Sequence, residues 1–472
     1  MDEHRQLTDL TAREAVARLR KRDVSPIEMV NAVLRRIEET NPKVNAIPTV
    51  CAEIARKRAQ HLTDNPPDNN DPFWQLAGLP IAVKDLTEVK GVRTTYGSPL
   101  FANFVPDYSN YLVETLERHG AIVIGKSNTP EFGAGGNTFN EVFGATRNPW
   151  NLNKTAGGSS GGSGAALAAG QVHLATGSDL GGSLRMPASF CSVVGLRPSP
   201  GRVAQGPTDF PFNDLPVEGP MARNVADAAL MLDSMTGMHP ADPLSLPKVE
   251  CFVKAIEQAP MPRRVAFSRD LGITPVEPEV AEICEKAALR FEQMGVVVEK
   301  ACPDFSNAKQ IFHLMRALFF VGKFAPMVEE RPDDFKPEII WNIEQGFKIT
   351  AKEITWAERE RAKLYARVVK FFDKYDLLLC PATVVEPFDV ETRYVTEICG
   401  HKFDNYVDWF SITYVLTLTA LPILSLPCGF TKSNLPLGLQ MVGKPRGEAE
   451  LLAAASRLEQ LLGISNLVPV NV

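Results

Sequence analysis

Gly157-Gly158-Ser159-Ser160-Gly161-Gly162-Ser163-Gly164, then an Ala-rich run, then Thr176-Gly177-Ser178-Asp179-Leu180-Gly181-Gly182-Ser183-Leu184-Arg185-Met186-Pro187: two Gly-flanked serine clusters bracket a short apolar segment. Glycine lets the backbone reach conformations other residues avoid and lets a group approach its N–H closely. A serine hydroxyl both donates and accepts. Together they suit a backbone cradle for negative charge beside a nucleophile. A flexible linker has a similar composition, but a linker does not resume at once with an apolar helix and strand pattern.

Working outward, residues 8 to 62 read as helices. Thr11-x-x-Glu14 and Ser25-Pro26-Ile27-Glu28 are capping-box patterns, the second with Pro at the first helical position. Met29, Val30, Val33, Leu34 and Ile37 then recur at helical spacing. Residues 65 to 72 are a loop by composition. From Gly78 the pattern changes. Leu79 to Val83 is a short apolar run that delivers Lys84 and Asp85 at its end. Residues 111 to 119, Ala165 to Gly170 and Val225 to Thr236 read as helices. Strand-like runs fall at Ala121 to Ile124, Val172 to Ala175, Arg264 to Phe267, Val296 to Val298, Leu377 to Cys380, Ile423 to Leu426 and Leu439 to Val442. The alternation predicts an α/β protein with one large, mostly buried sheet covered by helices. The expected organisation is a single domain over 1–472. N-terminal helices fill 1–62, the α/β core fills 75–306 and 374–472, and a charged helical insertion fills 307–373.

Composition narrows the function classes. Of 472 residues, 44% are hydrophobic and 22% charged, which is ordinary for a soluble globular chain. A net charge of −6 argues against a dedicated nucleic-acid surface. The eight cysteines form no C-x-x-C pair and are expected as reduced core thiols. The histidines are dispersed, so neither a metal nor another cofactor is expected. The charged Met1-Asp2-Glu3-His4-Arg5 start lacks an apolar h-region, and the apolar stretch Tyr414 to Phe430 is interrupted by Pro422 and Pro427. A cytoplasmic protein with no membrane partner is the expectation.

Three motif matches are set aside on physical grounds. Gly120 to Ser127 fits the P-loop expression, but its apolar, β-branched middle belongs in a strand, not an open amide-lined loop. Gly158-Ser159-Ser160-Gly161-Gly162 fits the nucleophile elbow, but the turn-like Asn148-Pro149-Trp150-Asn151 precedes it where a strand is required. Ser306-Asn307-Ala308-Lys309 fits S-x-x-K without its companion motifs. What remains is a lysine at a strand end and serines inside glycine clusters.

Those residues resemble the amidase signature family. The resemblance is carried by Gly157 to Gly162, by Asp179 to Ala188, and by Gly78-Leu79-Pro80-Ile81-Ala82-Val83-Lys84-Asp85 upstream. The spacings, 75 residues from Lys84 to Ser159 and 24 from Ser159 to Ser183, are compatible with it. Ser25-Pro26, Thr146-Arg147-Asn148-Pro149-Trp150 and Leu426-Pro427-Cys428-Gly429 extend it over nearly the whole chain, the helical insertion least. It implies the amidase signature fold and hydrolysis of a small or medium amide, anilide or related ester through an acyl-serine. Ser183 would be the nucleophile, Ser159 the bridging residue, held by a cis Gly158–Ser159 peptide, and Lys84 the base. The chemistry is coherent: a serine needs its proton removed, and a lysine can take it only if burial or nearby cations keep it neutral.

The same resemblance places the backbone N–H groups of Leu180, Gly181, Gly182 and Ser183 around the oxyanion, and the Gly133 carbonyl along the site. Asp179 and Arg185 are read as holding the loop by ion pairing or backbone hydrogen bonds, with substrate orientation the alternative. Thr176 is a candidate hydrogen-bond partner within the relay, and Cys191 a core thiol. The acyl pocket is expected to borrow from the insertion and from the loop near Phe139 to Phe143. The partners implied are a small-molecule amide and, by resemblance alone, a second copy in a homodimer.

The alternative is the glutaminase component of a tRNA-dependent amidotransferase, which shares the triad. Two departures weigh against it. Glu131-Phe132-Gly133-Ala134-Gly135 lacks that component's usual Met and Ser, and residues 340 to 366 hold no clear counterpart of its Arg-rich helix start.

Overall fold

Strand pairing organises the molecule, because most apolar runs identified above are buried on both faces. In a computed structural model that describes residues 3–248 and 250–472, eleven strands form one sheet. They are β1 Thr49–Val50, β2 Pro80–Lys84, β3 Ile122–Ser127, β4 Leu174–Asp179, β5 Val194–Arg197, β6 Val217–Ala222, β7 Arg264–Phe267, β8 Val297–Lys300, β9 Leu377–Pro381, β10 Ile423–Phe430 and β11 Pro436–Val442. The spatial order is β1-β3-β2-β4-β6-β5-β10-β11-β9-β7-β8. The sheet is mixed. β3-β2-β4 and β9-β7-β8 are parallel, and the other neighbours are antiparallel. Every residue of β2, β3, β9 and β11 is buried, which explains their continuous apolar character.

The N-terminal helices begin where their caps predict. Thr11 with Glu14, and Ser25 with Glu28, form reciprocal capping boxes at the helices Ala12–Lys21 and Pro26–Val44. Gly120–Ser127 contains the strand β3, which disposes of the P-loop expression.

Three local outcomes differ from the sequence expectation. The small-residue helix runs Gly161–Ala168, so it starts within the glycine run. Close packing overrides propensity there: a Cβ on Gly161 would lie 2.3 Å from Thr138 Oγ1, and one on Gly162 2.2 Å from the Asn128 nitrogen. The strand expected at Val172 to Ala175 runs instead over Leu174–Asp179, carried through Thr176-Gly177-Ser178 by six-residue pairing with β6. Strands β5 and β6 give no sequence signal, being short and interrupted by Gly195, Gly219 and Pro220.

Residues 308–371 hold three helices, Ala308–Glu330, Pro337–Phe347 and Ala351–Phe371. The first is long and apolar enough to cross a membrane by length and composition. Here that character serves packing: Ile311 and Phe312 are buried, and Phe312 stacks on Tyr414 with centroids 4.1 Å apart. Phe320 and Phe324 form a second apolar group with Phe335 and Ile339. All eight cysteines are free thiols. Cys191, Cys284, Cys380 and Cys428 are buried, but Cys399 is exposed and corrects the expectation of core thiols throughout.

Gly219 lies mid-strand in β6, where an added Cβ would sit 2.2 Å from the Leu196 carbonyl oxygen and 2.7 Å from Leu184 Cδ1. Gly219→Ala is expected to lose about 1–3 kcal/mol or more of stability through overpacking. A urea-melt midpoint equal to wild type would contradict that packing.

Candidate active site

Lys84 ends β2, so the strand carries its side chain to the sheet's edge and buries it completely. Its backbone N–H donates to Thr176 Oγ1 at 3.0 Å. Thr176 therefore anchors the strand end and does not bond to the relay side chains, which corrects its expected place within the relay. The Lys84 ammonium donates to Ser159 Oγ at 2.7 Å, Ser160 Oγ at 2.9 Å, Ser178 Oγ at 2.9 Å and the Ser178 carbonyl at 3.4 Å. Hydroxyls can reverse direction, so the same cage serves an ammonium as donor and a neutral amine as acceptor. Burial pulls Lys84 down to about 7, against the opposing charges of Glu218 and Asp179.

The neighbouring strand provides a contrast. Lys126 on β3 is equally buried, but its ammonium pairs with Asp85 at 3.1 Å and bonds the Thr87 carbonyl and Thr94 Oγ1. Lys84 has no carboxylate in hydrogen-bond contact among the described residues. Of two buried lysines side by side, one is an ion-paired strut and the other is free to change its proton count.

Ser159 is buried on the turn before the helix Gly161–Ala168, and its Gly158–Ser159 peptide is cis. The Ser160 N–H donates to the Ser183 carbonyl at 3.1 Å, which ties the two serine clusters together. Ser159 and Ser183 line the same cavity with Gly133, Leu180 and Gly181. Gly133 has φ +71°, and a Cβ there would meet Leu86 at 2.8 Å and Ser159 Oγ at 3.4 Å, so glycine keeps the wall open.

The loop carrying Ser183 is held by Asp179. Its carboxylate accepts from the Gly182 N–H at 2.8 Å and the Leu184 N–H at 3.1 Å. Arg185 grips it with two bonds, of 3.0 and 2.9 Å, and Arg197 lies 3.5 Å away. Burial alone would raise the Asp179 carboxyl, but Arg185 and Arg197 hold it well below the usual carboxylate range. Loop-holding is thus the role in which Asp179 and Arg185 are found. One consequence corrects the expected cradle. The N–H groups of Leu180, Gly181 and Ser183 have no acceptor among the described residues, whereas that of Gly182 is already committed to Asp179.

The cavity wall beyond the serines is aromatic. Phe319, Phe320 and Phe324 come from the helix Ala308–Glu330, and Phe132 packs on Phe324 at 4.8 Å. The loop Phe139 to Phe143 does not reach this cavity. Phe139 instead faces Lys336 and Arg393 elsewhere on the surface. The segment Gln205 to Phe210 takes that place. Sequence reasoning also passes over Ser160, Ser178, Glu218 and Lys323. Ser160 and Ser178 carry a visible signal, as hydroxyls inside the quoted stretch; Glu218 and Lys323 carry none. Among the described residues no group of three or more His, Cys, Asp or Glu side chains could hold a metal ion.

Asp179→Asn would leave the buried Arg185 and Arg197 without their anion. It is expected to cost about 3–5 kcal/mol, readable as a lowered thermal or urea midpoint. Wild-type stability in that variant would mean that the carboxylate does not organise the loop.

Comparison with known proteins gives consistent results. The Amidase family model matches residues 28–452. An acylamidase of Rhodococcus erythropolis is 34% identical over 460 residues, covering 95% of each chain. The amidase-like component of a glutamyl-tRNA(Gln) amidotransferase from Alkaliphilus metalliredigens is 33% identical over 470 residues, covering 94% of each. Among solved structures, a bacterial aryl acylamidase of the amidase signature family superposes with a TM-score of 0.89 at 28% identity, over 98% of this chain and 99% of that one.

Proposed function

The chain belongs to the amidase signature family of amide-hydrolysing enzymes, and from that premise we propose that it cleaves amides or anilides bearing an apolar group through a Lys84–Ser159–Ser183 triad. The observation that carries the proposal is the state of Lys84. It is a fully buried lysine with no carboxylate in hydrogen-bond contact, 2.7 Å from the Ser159 hydroxyl, in a cavity that also admits Ser183.

In the proposed sequence neutral Lys84 takes the Ser159 proton as Ser159 takes that of Ser183. The Ser183 oxygen attacks the carbonyl carbon, and the oxygen charge that develops is received by the free N–H groups of Leu180, Gly181 and Ser183. Each such donor is worth roughly 2.7–4 kcal/mol of barrier. The relay then runs backwards and protonates the departing amine, which leaves as neutral product. Water enters, gives its proton to the same relay and attacks the acyl-serine, releasing acid and restoring the hydroxyl. Serine hydroxyls bonded on both sides need no reorganisation between these steps.

The aromatic wall favours an apolar substrate over glutamine, whose ammonium and carboxylate would need paired charges. The 33% identity to an amidotransferase component nevertheless keeps the glutaminase reading as the alternative. Glutamine turnover together with co-purification of a tRNA-binding partner would establish it in place of the first.

Two outcomes test the triad. Ser183→Ala should lower kcat on an anilide by on the order of 10⁴-fold or more and abolish the acyl-enzyme seen by intact mass. Ser159→Ala and Lys84→Ala should each slow turnover severely, and full activity in all three would sink the assignment. The second test is the pH profile. Protonated Lys84 cannot accept a proton, so kcat/KM should rise with pH through about 7 and fall about tenfold per unit below it. A profile flat from about pH 5 to about pH 8 would exclude Lys84 as the base.

A further inference from the structure

Glu218 lies on β6 directly across the ladder from Ser178 on β4. Cross-strand partners project to the same face, and both residues line the cavity of the catalytic centre. The Ser178 hydroxyl accepts from Lys84 Nζ at 2.9 Å. A carboxyl group is thus placed one hydroxyl away from the lysine.

The carboxylates around it are spoken for. Asp85 is paired with Lys126, Asp179 with Arg185, and Glu88 accepts from the Tyr96 hydroxyl at 2.8 Å and from Asn110 at 3.3 Å. Glu218 Oε2 is buried and has no hydrogen-bond partner among the described residues. An anion so placed is costly unless a cation compensates it or a proton neutralises it. The charged groups that face it are Lys84 from β2, Glu88 from the loop after β2, and Lys323 from the helix Ala308–Glu330. Asp179 acts on the Lys84 side of the pair. Lys323 is exposed at the cavity mouth, with its ammonium 5.6 Å from the ring centres of Phe319 and Phe324. Arg316 also lines the cavity but commits its donors to Asn342 and Tyr406.

We propose that Glu218 is a positioning residue that shares one proton with Lys84, so that the reactive state of the centre is a neutral amine beside a protonated carboxyl. An Nζ–H bond of the ammonium breaks and an O–H bond forms on Glu218, with the Ser178 hydroxyl as the route. No charge enters or leaves the centre. Burial acts on both groups in the direction this requires, moving the lysine down and the carboxyl up. An apolar substrate that fills the cavity excludes water and favours the uncharged pair further, so that binding prepares the base. The inference rests on Lys84 being that base.

The test is the pH dependence of kcat/KM in Glu218→Gln. Loss of the carboxylate removes a charge that stabilises the Lys84 ammonium, so the acid limb should move to lower pH by about one unit. Glu218→Asp should return it part of the way. An unmoved limb with a raised KM would assign Glu218 to substrate holding and overturn the proposal, as would an unchanged profile. A second measurement does not depend on activity. In infrared pH titrations the protonated-carboxyl band of Glu218, identified by its absence in Glu218→Gln, should persist to higher pH in Lys84→Ala, because the carboxylate has lost its cation. If Glu218→Gln does not fold, a titrating carboxyl band that moves between wild type and Lys84→Ala still supports the proposal. Identical bands in those two proteins overturn it. Full activity of Lys84→Ala would instead remove the triad on which it rests.

Discussion

The ion pair between Asp179 and Arg185 is the constraint on which the rest of the centre depends. Arg185 does not serve the carboxylate alone. Its other donors reach the Thr413 carbonyl, Thr417 Oγ1 and Gln440 Oε1, at 2.8, 2.9 and 2.7 Å. Gln440 belongs to β11 and Thr413 to a helix near the C-terminus. One guanidinium therefore fastens the Ser183 loop to elements more than two hundred residues away. A buried pair is seldom a net gain in stability over apolar packing. Its value here is geometric: it fixes which amides of the loop are bound to Asp179 and which remain free.

The second determinant is the unequal treatment of two adjacent lysines. Both are carried by buried parallel strands. Lys126 receives a carboxylate and stays a cation that ties the β2–β3 edge to the loop around Thr94. Lys84 receives hydroxyls, and burial then acts unopposed by any contacting anion. The difference lies in what the following residues supply, Asp85 folding back to Lys126 while the serine clusters fold toward Lys84.

How much of this is legible in the sequence follows from the range of the interactions. Capping boxes and continuous apolar strands are local, and the sequence shows them at Thr11, at Ser25 and from Leu79 to Val83. The triad candidates are legible because glycine and serine concentrate there for chemical reasons, and the resemblance supplies their order. The early start of the helix at Gly161 is not legible, since its cause is the approach of Thr138 and Asn128, distant in sequence. Strands β5 and β6 take their stability from neighbours rather than from pattern. Glu218 is invisible for the same reason: its meaning comes from a ladder register with Ser178. The loop at Phe139 resembles a pocket wall because it is aromatic and near in sequence, whereas residues 205–210 reach the cavity only through the fold.

The insertion helix Ala308–Glu330 lends the cavity Phe319, Phe320 and Phe324 but contributes no hydrogen bond to Lys84, Ser159, Ser160 or Ser178 among the described residues. Recognition and chemistry are thereby mounted on separate parts of the chain. The aromatic wall can be recut by substitution or by exchange of the whole helix, while the hydroxyl cage and the Asp179 clamp stay as they are. A scaffold divided in this way can change what it accepts without relearning how to react, and libraries confined to that one helix face are the direct way to redirect it.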